Sequence, residues 1–134
     1  MTKIHLIRHG VTYWNQELRY QGHSDISLTP EGERQAELMA TSFAQINLRA
    51  IYSSDLIRAQ STALKLGEKK QLSVTTNADF REINFGAWEG LTYEQIKAKW
   101  GNLIDDFFRA PGEVYLPQGE GFGDVYKRAV PNLL

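Results

Sequence analysis

The chain has 134 residues, 42% of them hydrophobic and 23% charged, and a formal net charge of -1. These values favour one soluble domain over residues 1–134 and exclude a disordered or membrane-spanning chain, because no stretch approaches about 18 consecutive apolar residues. The near-neutral charge argues against non-specific nucleic-acid binding, and the absence of cysteine excludes disulfides and thiolate chemistry.

The first predicted element is a short strand at the start of the chain. Ile4, Leu6 and Ile7 form a β-favouring run that ends at Gly10, and a loop then continues through Gly22. The next element begins in the segment TPEG, which offers a threonine as N-cap and a proline at the first helical position. Apolar residues then recur at three- and four-residue spacing, which predicts a helix from about residue 30 to 45.

The middle of the chain repeats the strand and helix pattern. AIYSSD (50–55) predicts a second strand, and LIRAQSTALKLG predicts a helix that ends near Gly67. LSVTTN (72–77) predicts a third strand, a loop follows over 78–91, and TYEQIKAKW predicts a helix capped by Thr92. This alternation is typical of the α/β class.

The last third is loop followed by helix. APGEVYLPQGEG (110–121) is rich in proline and glycine, which predicts a loop. From Phe122 an apolar stripe predicts a helix that Pro131 would kink or stop, and the chain ends on Leu133 and Leu134. The stripe consists of Val125, Tyr126, Ala129 and Leu133.

Two strand ends carry the residues with chemical potential. His9 and Gly10 follow the first strand, Ser53 and Ser54 follow the second, and ligands of open α/β sheets bind beyond such ends. Arg58 lies in the first turn of the next helix, where the helix dipole disfavours a cation unless an anion is bound. A phosphoryl group held by that arginine is therefore a natural ligand.

The same reasoning assigns chemical roles. Arg8 and Arg58 can neutralise a phosphate while the neutral imidazole of His9 attacks phosphorus, which would give a phosphohistidine. A leaving oxygen needs a proton, and Glu82 in REINFGAWEG is the candidate general acid.

Structural alternatives exist for each of these residues. Arg8 with His9 could form a hydrogen-bonded turn, Arg58 a solvated helix position, and Arg81 with Glu82 a surface ion pair. A metal site built on histidines is disfavoured, because no cysteine or acidic cluster with ligand spacing completes the set. The tryptophans at 14, 88 and 100 are expected to pack rather than to stack on bases.

Four ordered motifs together resemble a known family. LIRHGVTYWN, LTPEGERQA, IYSSDLIRAQSTA and REINFGAWEG span residues 4–90 and are similar to the histidine phosphatase superfamily, in its phosphoglycerate mutase-like branch. The resemblance implies a three-layer α/β/α fold with a mostly parallel sheet. It also implies a small phosphorylated metabolite as substrate, with no cofactor, no metal, no nucleic acid and no membrane.

The resemblance also carries over residue roles. His9 matches the phosphorylated nucleophile, Arg8 and Arg58 match the phosphate clamp, and Glu82 matches the proton donor. The positions that match the substrate border are Asn15, Gln21 and Gly22, and Thr12 matches a polar position beside the pocket.

One family feature is missing. The family has a second catalytic histidine in a later S-H-G motif, and neither His5 nor His23 lies in such a motif. We therefore expect the chain to lack the C-terminal part of the fold, to have little phosphatase activity and to expose the edge of its first strand. Such an edge favours self-association.

The expected function is a cytoplasmic phosphomonoester hydrolase. FGAWEG with Tyr93 and Trp100 is more similar to the small phosphatases than to the mutases, which indicates α-ribazole 5'-phosphate as a substrate. Only Arg109 appears where mutases carry paired arginines. The alternatives are a phosphoglycerate mutase-type phosphotransferase and a non-catalytic phosphate-binding module.

Overall fold

The computed structural model of the chain describes residues 1–133, so Leu134, named above, lies outside the described residues. The helices and strands are α1 (Tyr13–Gln16), α2 (Pro30–Ser42), β1 (Ile51–Ser53), α3 (Ile57–Lys70), β2 (Val74–Thr76), α4 (Tyr93–Trp100), α5 (Leu103–Arg109) and α6 (Phe122–Ala129). Short 3-10 turns occupy Ala78–Phe80, Gly86–Trp88, Pro111–Glu113 and Val130–Asn132.

A small parallel sheet confirms the α/β class. Strands β1 and β2 pair in parallel with Ile51 opposite Val74, and α3 makes the crossover that parallel strands require. Helix α2 packs on α3, and Ala40, Ile51 and Leu66 form the buried cluster between these elements. Both strands of this sheet were predicted from the sequence.

The predicted helix starts are confirmed by their caps. The Thr29 hydroxyl accepts a hydrogen bond from Gly32 N at 3.0 Å with Pro30 at the first helical position. At α4, Thr92 and Gln95 form a reciprocal capping box. These side chains satisfy amides that otherwise have no partner within the helix.

The predicted end of α3 near Gly67 is wrong. The helix continues to Lys70 and ends at Gln71, which has left-handed backbone angles (φ 55°, ψ 40°). Gly67 is needed for a different reason, because a Cβ there would lie 2.8 Å from the Leu72 carbonyl oxygen. The glycine lets the chain that leads into β2 pass close to the helix.

The predicted first strand is also wrong for the described residues. Residues 4–7 form no regular element, and within residues 1–133 no strand pairs with them. Leu6 is 86% exposed and Ile4 58% exposed. A β-favouring run becomes a strand only when a neighbouring backbone accepts its hydrogen bonds, and the described chain supplies none.

A second core lies under the segment that carries Glu82. Its buried residues are Ile83, Trp88, Ile96, Ile104, Phe107, Val114 and Leu116. Helix α5, which the sequence did not predict, contributes Ile104 and Phe107. This core fixes Ile83, the residue next to the candidate acid.

Helix α6 is confirmed, but its predicted apolar stripe is only partly covered. Val125 packs against the second core, whereas Tyr126 is 67% exposed. The helix ends at Ala129, and Pro131 lies in the 3-10 turn that follows. Short α1 and the helix α5 were missed because neither shows a long periodic pattern.

Candidate active site

The His9 ring is held in one tautomer. Its Nδ1 lies 2.7 Å from the carbonyl oxygen of Gly10, which can only accept, so Nδ1 carries the proton and donates it. The Nε2 atom therefore keeps its lone pair. Neutral imidazole with a free Nε2 is the form that can act as a nucleophile.

The surroundings of His9 favour that neutral form. Burial is the largest influence and lowers the pKa of the imidazole, and the positive charges of Arg58 and Arg8 act in the same direction. The Gly10 hydrogen bond and the negative charge of Glu82 oppose the shift. The structure thus brings Arg8, Arg58 and Glu82 into the electrostatic environment of one histidine.

Gly10 anchors the histidine to two helices. Its N–H donates to the Thr62 hydroxyl at 3.1 Å, and that hydroxyl donates to the Arg58 carbonyl at 2.8 Å. A Cβ at Gly10 would lie 2.3 Å from the Gly32 carbonyl oxygen on α2. Only glycine permits this approach without moving backbone.

Arg58 is deeply buried for a charged side chain, with 2% of its surface exposed. Its Nη1 donates to Ser24 O at 2.9 Å and its Nη2 donates to Gly22 O at 2.6 Å. Burial lowers its pKa against the opposing carboxylates, Glu82 first among them. Two of its N–H donors bond to carbonyl oxygens of the loop over residues 22–24, and its other donors remain for a ligand.

Glu89 holds the same loop from the other side and was not singled out from the sequence. One carboxylate oxygen accepts from Ser24 N at 2.6 Å and from Gly22 N at 3.1 Å. Burial raises the pKa of Glu89, but the hydrogen bonds from the loop amides outweigh it and leave the pKa lowered. Its place in FGAWEG was the available signal.

Asp25 is a second residue that the sequence reasoning missed. Leu56, the N-cap of α3, has no side-chain acceptor, and Asp25 Oδ1 accepts from Ile57 N at 2.7 Å instead. The loop that precedes α2 is therefore tied to the start of the helix that carries Arg58. A cap supplied from a distant loop has no local sequence signature.

Two of the predicted substrate-border residues, Asn15 and Gln21, contact a buried threonine. Thr12 caps α1, accepting from Asn15 N at 3.2 Å, and its hydroxyl lies 2.8 Å from Gln21 Oε1. Within residues 1–133, the buried Nε2 of Gln21 has no hydrogen-bond partner. Asn15 and Gln21 thus lie together against the same hydroxyl.

Glu82 is exposed, and its side chain does not form the surface pair considered above. Arg81 instead binds Asp55 through two hydrogen bonds of 2.6 Å. The Glu82 carboxylate accepts from Ile83 N at 2.8 Å, and its negative charge is felt by His9 and Arg58. Its carboxyl group is therefore available to a ligand beside His9.

The other two histidines make different contacts. His5 stacks edge to face on Phe43 with ring centroids 5.3 Å apart, and His23 Nε2 lies 3.1 Å from the Glu82 carbonyl oxygen. In the described part of the chain, no three histidine or acidic side chains cluster as metal ligands. Among those same residues there is no helix with the length and apolarity to cross a bilayer.

Comparison with protein families decides the assignment. Residues 4–133 match the histidine phosphatase superfamily (branch 1). The chain belongs to this superfamily. The resemblance carried by the four sequence motifs is therefore confirmed over nearly the whole length.

Histidine phosphatase relatives of known name align along the same region. Phosphoserine phosphatase 1 of Hydrogenobacter thermophilus is 36% identical over 128 residues, which are 96% of this chain and 61% of that protein. "Probable phosphoglycerate mutase GpmB" of Escherichia fergusonii is 32% identical, over 96% of this chain and 60% of its own length. The chain spans about 60% of the length of these relatives.

Solved histidine phosphatase structures share the fold. A mycobacterial glucosyl-3-phosphoglycerate phosphatase with VO3 has a TM-score of 0.89 at 36% identity, covering 93% of this chain and 59% of that one. An Escherichia coli K-12 protein named provisionally as an α-ribazole-5'-P phosphatase has a TM-score of 0.85 at 28% identity, covering 95% and 63%. These matches confirm the predicted phosphoglycerate mutase-like α/β fold.

Proposed function

We propose that the chain carries the nucleophile and phosphate site of a phosphomonoester hydrolase that works through a phosphohistidine at His9. The observation that carries the proposal is the state of that imidazole. Its Nδ1–H donates a hydrogen bond to the Gly10 carbonyl oxygen, its Nε2 keeps a lone pair, and burial together with Arg58 and Arg8 lowers its pKa and so favours the neutral ring.

The first half-reaction moves the phosphoryl group to the protein. The Nε2 lone pair of His9 attacks phosphorus, a P–N bond forms, and the P–O bond to the leaving group breaks. Glu82, in its protonated carboxylic acid form, gives its proton to the departing oxygen and becomes a carboxylate. Arg8 and Arg58 offset the negative charge on the remaining phosphoryl oxygens.

The second half-reaction frees the histidine. Water attacks the phosphorus of the phosphohistidine, the Glu82 carboxylate takes a proton from that water, and the P–N bond breaks with its electron pair returning to Nε2. Inorganic phosphate leaves, and both side chains return to their starting protonation states. In this proposal Asn15, Gln21 and Gly22 border the substrate. The hydrogen bond from Arg58 to Gly22 O and the contacts of Asn15 and Gln21 with the Thr12 hydroxyl support this.

For the substrate we propose a small phosphorylated metabolite, with α-ribazole 5'-phosphate as the first candidate, acted on in the cytoplasm. The provisional name of the Escherichia coli structural neighbour supports that candidate. The names of other relatives put phosphoserine and glucosyl-3-phosphoglycerate in the same assay panel. The highest kcat/KM among these compounds identifies the substrate.

Trapping the phosphoryl group tests the covalent mechanism. The chain is mixed with a ³²P-labelled aryl phosphomonoester and quenched in alkaline denaturant, because a P–N bond is stable in base and labile in acid. We expect label on His9 and none in His9→Ala, while His5→Ala, whose ring stacks on Phe43, retains it. Label on another residue, or equal label in His9→Ala, would overturn the mechanism.

A phosphotransferase is the second candidate, supported by the mutase-named relative. Both reactions share the phosphohistidine and differ in what removes the phosphoryl group. Release of inorganic phosphate identifies hydrolysis, whereas transfer to a second hydroxyl of a phosphoglycerate identifies a mutase. Phosphate binding with no label on His9 would identify a non-catalytic module.

Replacing the proposed acid separates its role from binding. Glu82→Gln keeps the shape of the side chain but cannot donate a carboxyl proton. We expect an alkyl phosphate, whose leaving oxygen is basic, to lose about 10²-fold in transfer rate, and an activated aryl phosphate to lose far less. Equal losses on both substrates would contradict leaving-group protonation by Glu82.

A further inference from the structure

Helix α6 places one arginine against the segment that carries Glu82. The Arg128 guanidinium donates to the carbonyl oxygens of Asp79 at 2.7 Å and Arg81 at 2.8 Å through Nη1, and to that of Glu82 at 3.0 Å through Nη2. Three carbonyls in a stretch of four residues therefore converge on one side chain. None of these contacts was predicted from the sequence.

Glu120 takes the remaining donors of the same guanidinium. Its two oxygens accept from Arg128 Nε at 3.0 Å and from Nη2 at 2.9 Å. A guanidinium has about five N–H donors, and these hydrogen bonds engage all of them. Arg58 differs, because the loop takes only two of its donors.

Glu120 also bonds to the backbone of Asn84, at the C-terminal end of the segment over residues 79–84. Its Oε2 accepts from Asn84 N at 2.8 Å, and its own N–H donates to Asn84 O at 2.9 Å. The Arg128 hydrogen bond is the main reason that the pKa of Glu120 is lowered, against burial, with help from Asn84. The charged pair therefore holds backbone on both sides of Glu82.

The Glu82 side chain is held by one local hydrogen bond. Its carboxylate is exposed, and the contact it makes is local, to the neighbouring Ile83 N. The Glu82 carbonyl, by contrast, accepts from Arg128 and also lies 3.1 Å from His23 Nε2. The direction of the carboxyl group is therefore set by the backbone, and the backbone is set by α6.

We infer that Arg128 and Glu120 form a positioning pair, which aims the Glu82 carboxyl at the leaving oxygen by fixing the backbone of residues 79–84. The inference rests on the proposed role of Glu82 as general acid. Neither member of the pair touches the reacting atoms. A displacement of about 1 Å in a reacting group can cost about 10²-fold in rate.

The test compares one variant of each member of the pair with a matched control variant. Arg128→Met removes the guanidinium and all its hydrogen bonds. Glu120→Gln removes the charge of the carboxylate but keeps the shape of the side chain, so it remains informative if Arg128→Met does not fold. Lys127→Met removes a positive charge from an exposed neighbouring position on the same helix. Transfer to His9 is measured with p-nitrophenyl phosphate and with an alkyl phosphate.

We expect both pair variants to lose about tenfold more rate on the alkyl phosphate than on the aryl phosphate, as a weaker form of the Glu82→Gln pattern. Lys127→Met should leave both rates unchanged. A purely structural role lowers the folded fraction and reduces both rates equally. Equal loss, or no loss, would therefore overturn the inference.

Hydrogen exchange separates this outcome from failure of the proposed function. The backbone amides of residues 79–84 should exchange faster in both pair variants than in Lys127→Met. Both variants weaken the hydrogen bonds that Arg128 and Glu120 make to the backbone of this segment, so the segment should open more often. Unchanged exchange overturns the inference whatever the activity. Absence of label on His9 in the unaltered chain overturns the proposed function and with it the acid role of Glu82. Faster exchange in the pair variants would even then show that Arg128 and Glu120 hold the backbone of residues 79–84.

Discussion

Glu82 and His9 lie on segments that are held by different means. Around Glu82, the carbonyl oxygens of Asp79, Arg81 and Glu82 accept hydrogen bonds from Arg128, and Ile83 is 2% exposed in the second core. Ahead of His9, residues 1–8 form no regular element, and Leu6 is 86% exposed. The proposed acid is fixed on both sides, whereas the proposed nucleophile is fixed from Gly10 onward.

The difference shows that an apolar residue stabilises the position of its segment only when its side chain is buried. Ile4 and Ile83 are the same residue type, but Ile83 is buried in an apolar cluster whereas Ile4 is 58% exposed. Burial contributes about 25 cal/mol per Å² of apolar surface removed from water, and exposed residues contribute little of it. Four predictions follow the comparison from the most strongly held position to the least.

Truncating the same residue type in the two segments gives the largest contrast. Ile83→Ala should lower the free energy of unfolding by about 2–5 kcal/mol, because it leaves a cavity in the second core. Ile4→Ala, at a position 58% exposed, should change it by less than about 0.5 kcal/mol. Urea unfolding measures both variants, and similar losses would show that the first segment is packed after all.

A methyl group at Gly10 tests where the first segment becomes fixed. Gly10→Ala should cost about 1–3 kcal/mol of unfolding free energy, because the added Cβ would lie 2.3 Å from a backbone oxygen of Gly32. Gly112→Ala is the matched control, since no atom lies within 4 Å of its added Cβ. If Gly10→Ala unfolds at the parent midpoint, the anchor is looser than the distances indicate.

The pH dependence of stability reports the state of His9. Burial lowers its pKa in the folded chain below the ordinary value of about 6.5. The unfolded chain therefore binds more protons in this range, and stability falls as the pH drops from about 6.5 through the folded pKa.

The variant His9→Asn isolates this contribution from that of other titrating groups. Between pH 7.5 and pH 5, the parent should lose more unfolding free energy than His9→Asn. Parallel losses in the two proteins would mean that the folded imidazole titrates as it does in the unfolded chain.

Self-association of the first segment is the smallest expected effect. Exposed apolar residues beside unpaired backbone favour contact with another molecule, and Leu6 is the most exposed of the run. We expect Leu6→Asp to lower the mean mass in sedimentation at high protein concentration without changing the unfolding midpoint. A monomeric parent at every concentration would remove self-association as a property of this chain.

Where a signal is local, the sequence was sufficient. Thr29 with Pro30, and Thr92, predicted helix starts that the structure confirms, because a cap involves residues within one turn. The four motifs predicted the superfamily, which the match over residues 4–133 confirms. The end of α3 was misplaced because Gly67 is required by a contact with Leu72 and not by the helix end.

The sequence by itself determined the α/β pattern and named His9, Arg58 and Glu82 as candidates, since residue type and spacing carry that information. Tertiary structure alone decided that residues 4–7 have no strand partner within residues 1–133, that Glu89 holds the loop beside Arg58, and that Arg128 holds the backbone of Glu82. These contacts join residues up to 67 positions apart. No local pattern encodes them, because each depends on which surfaces the folded chain brings together.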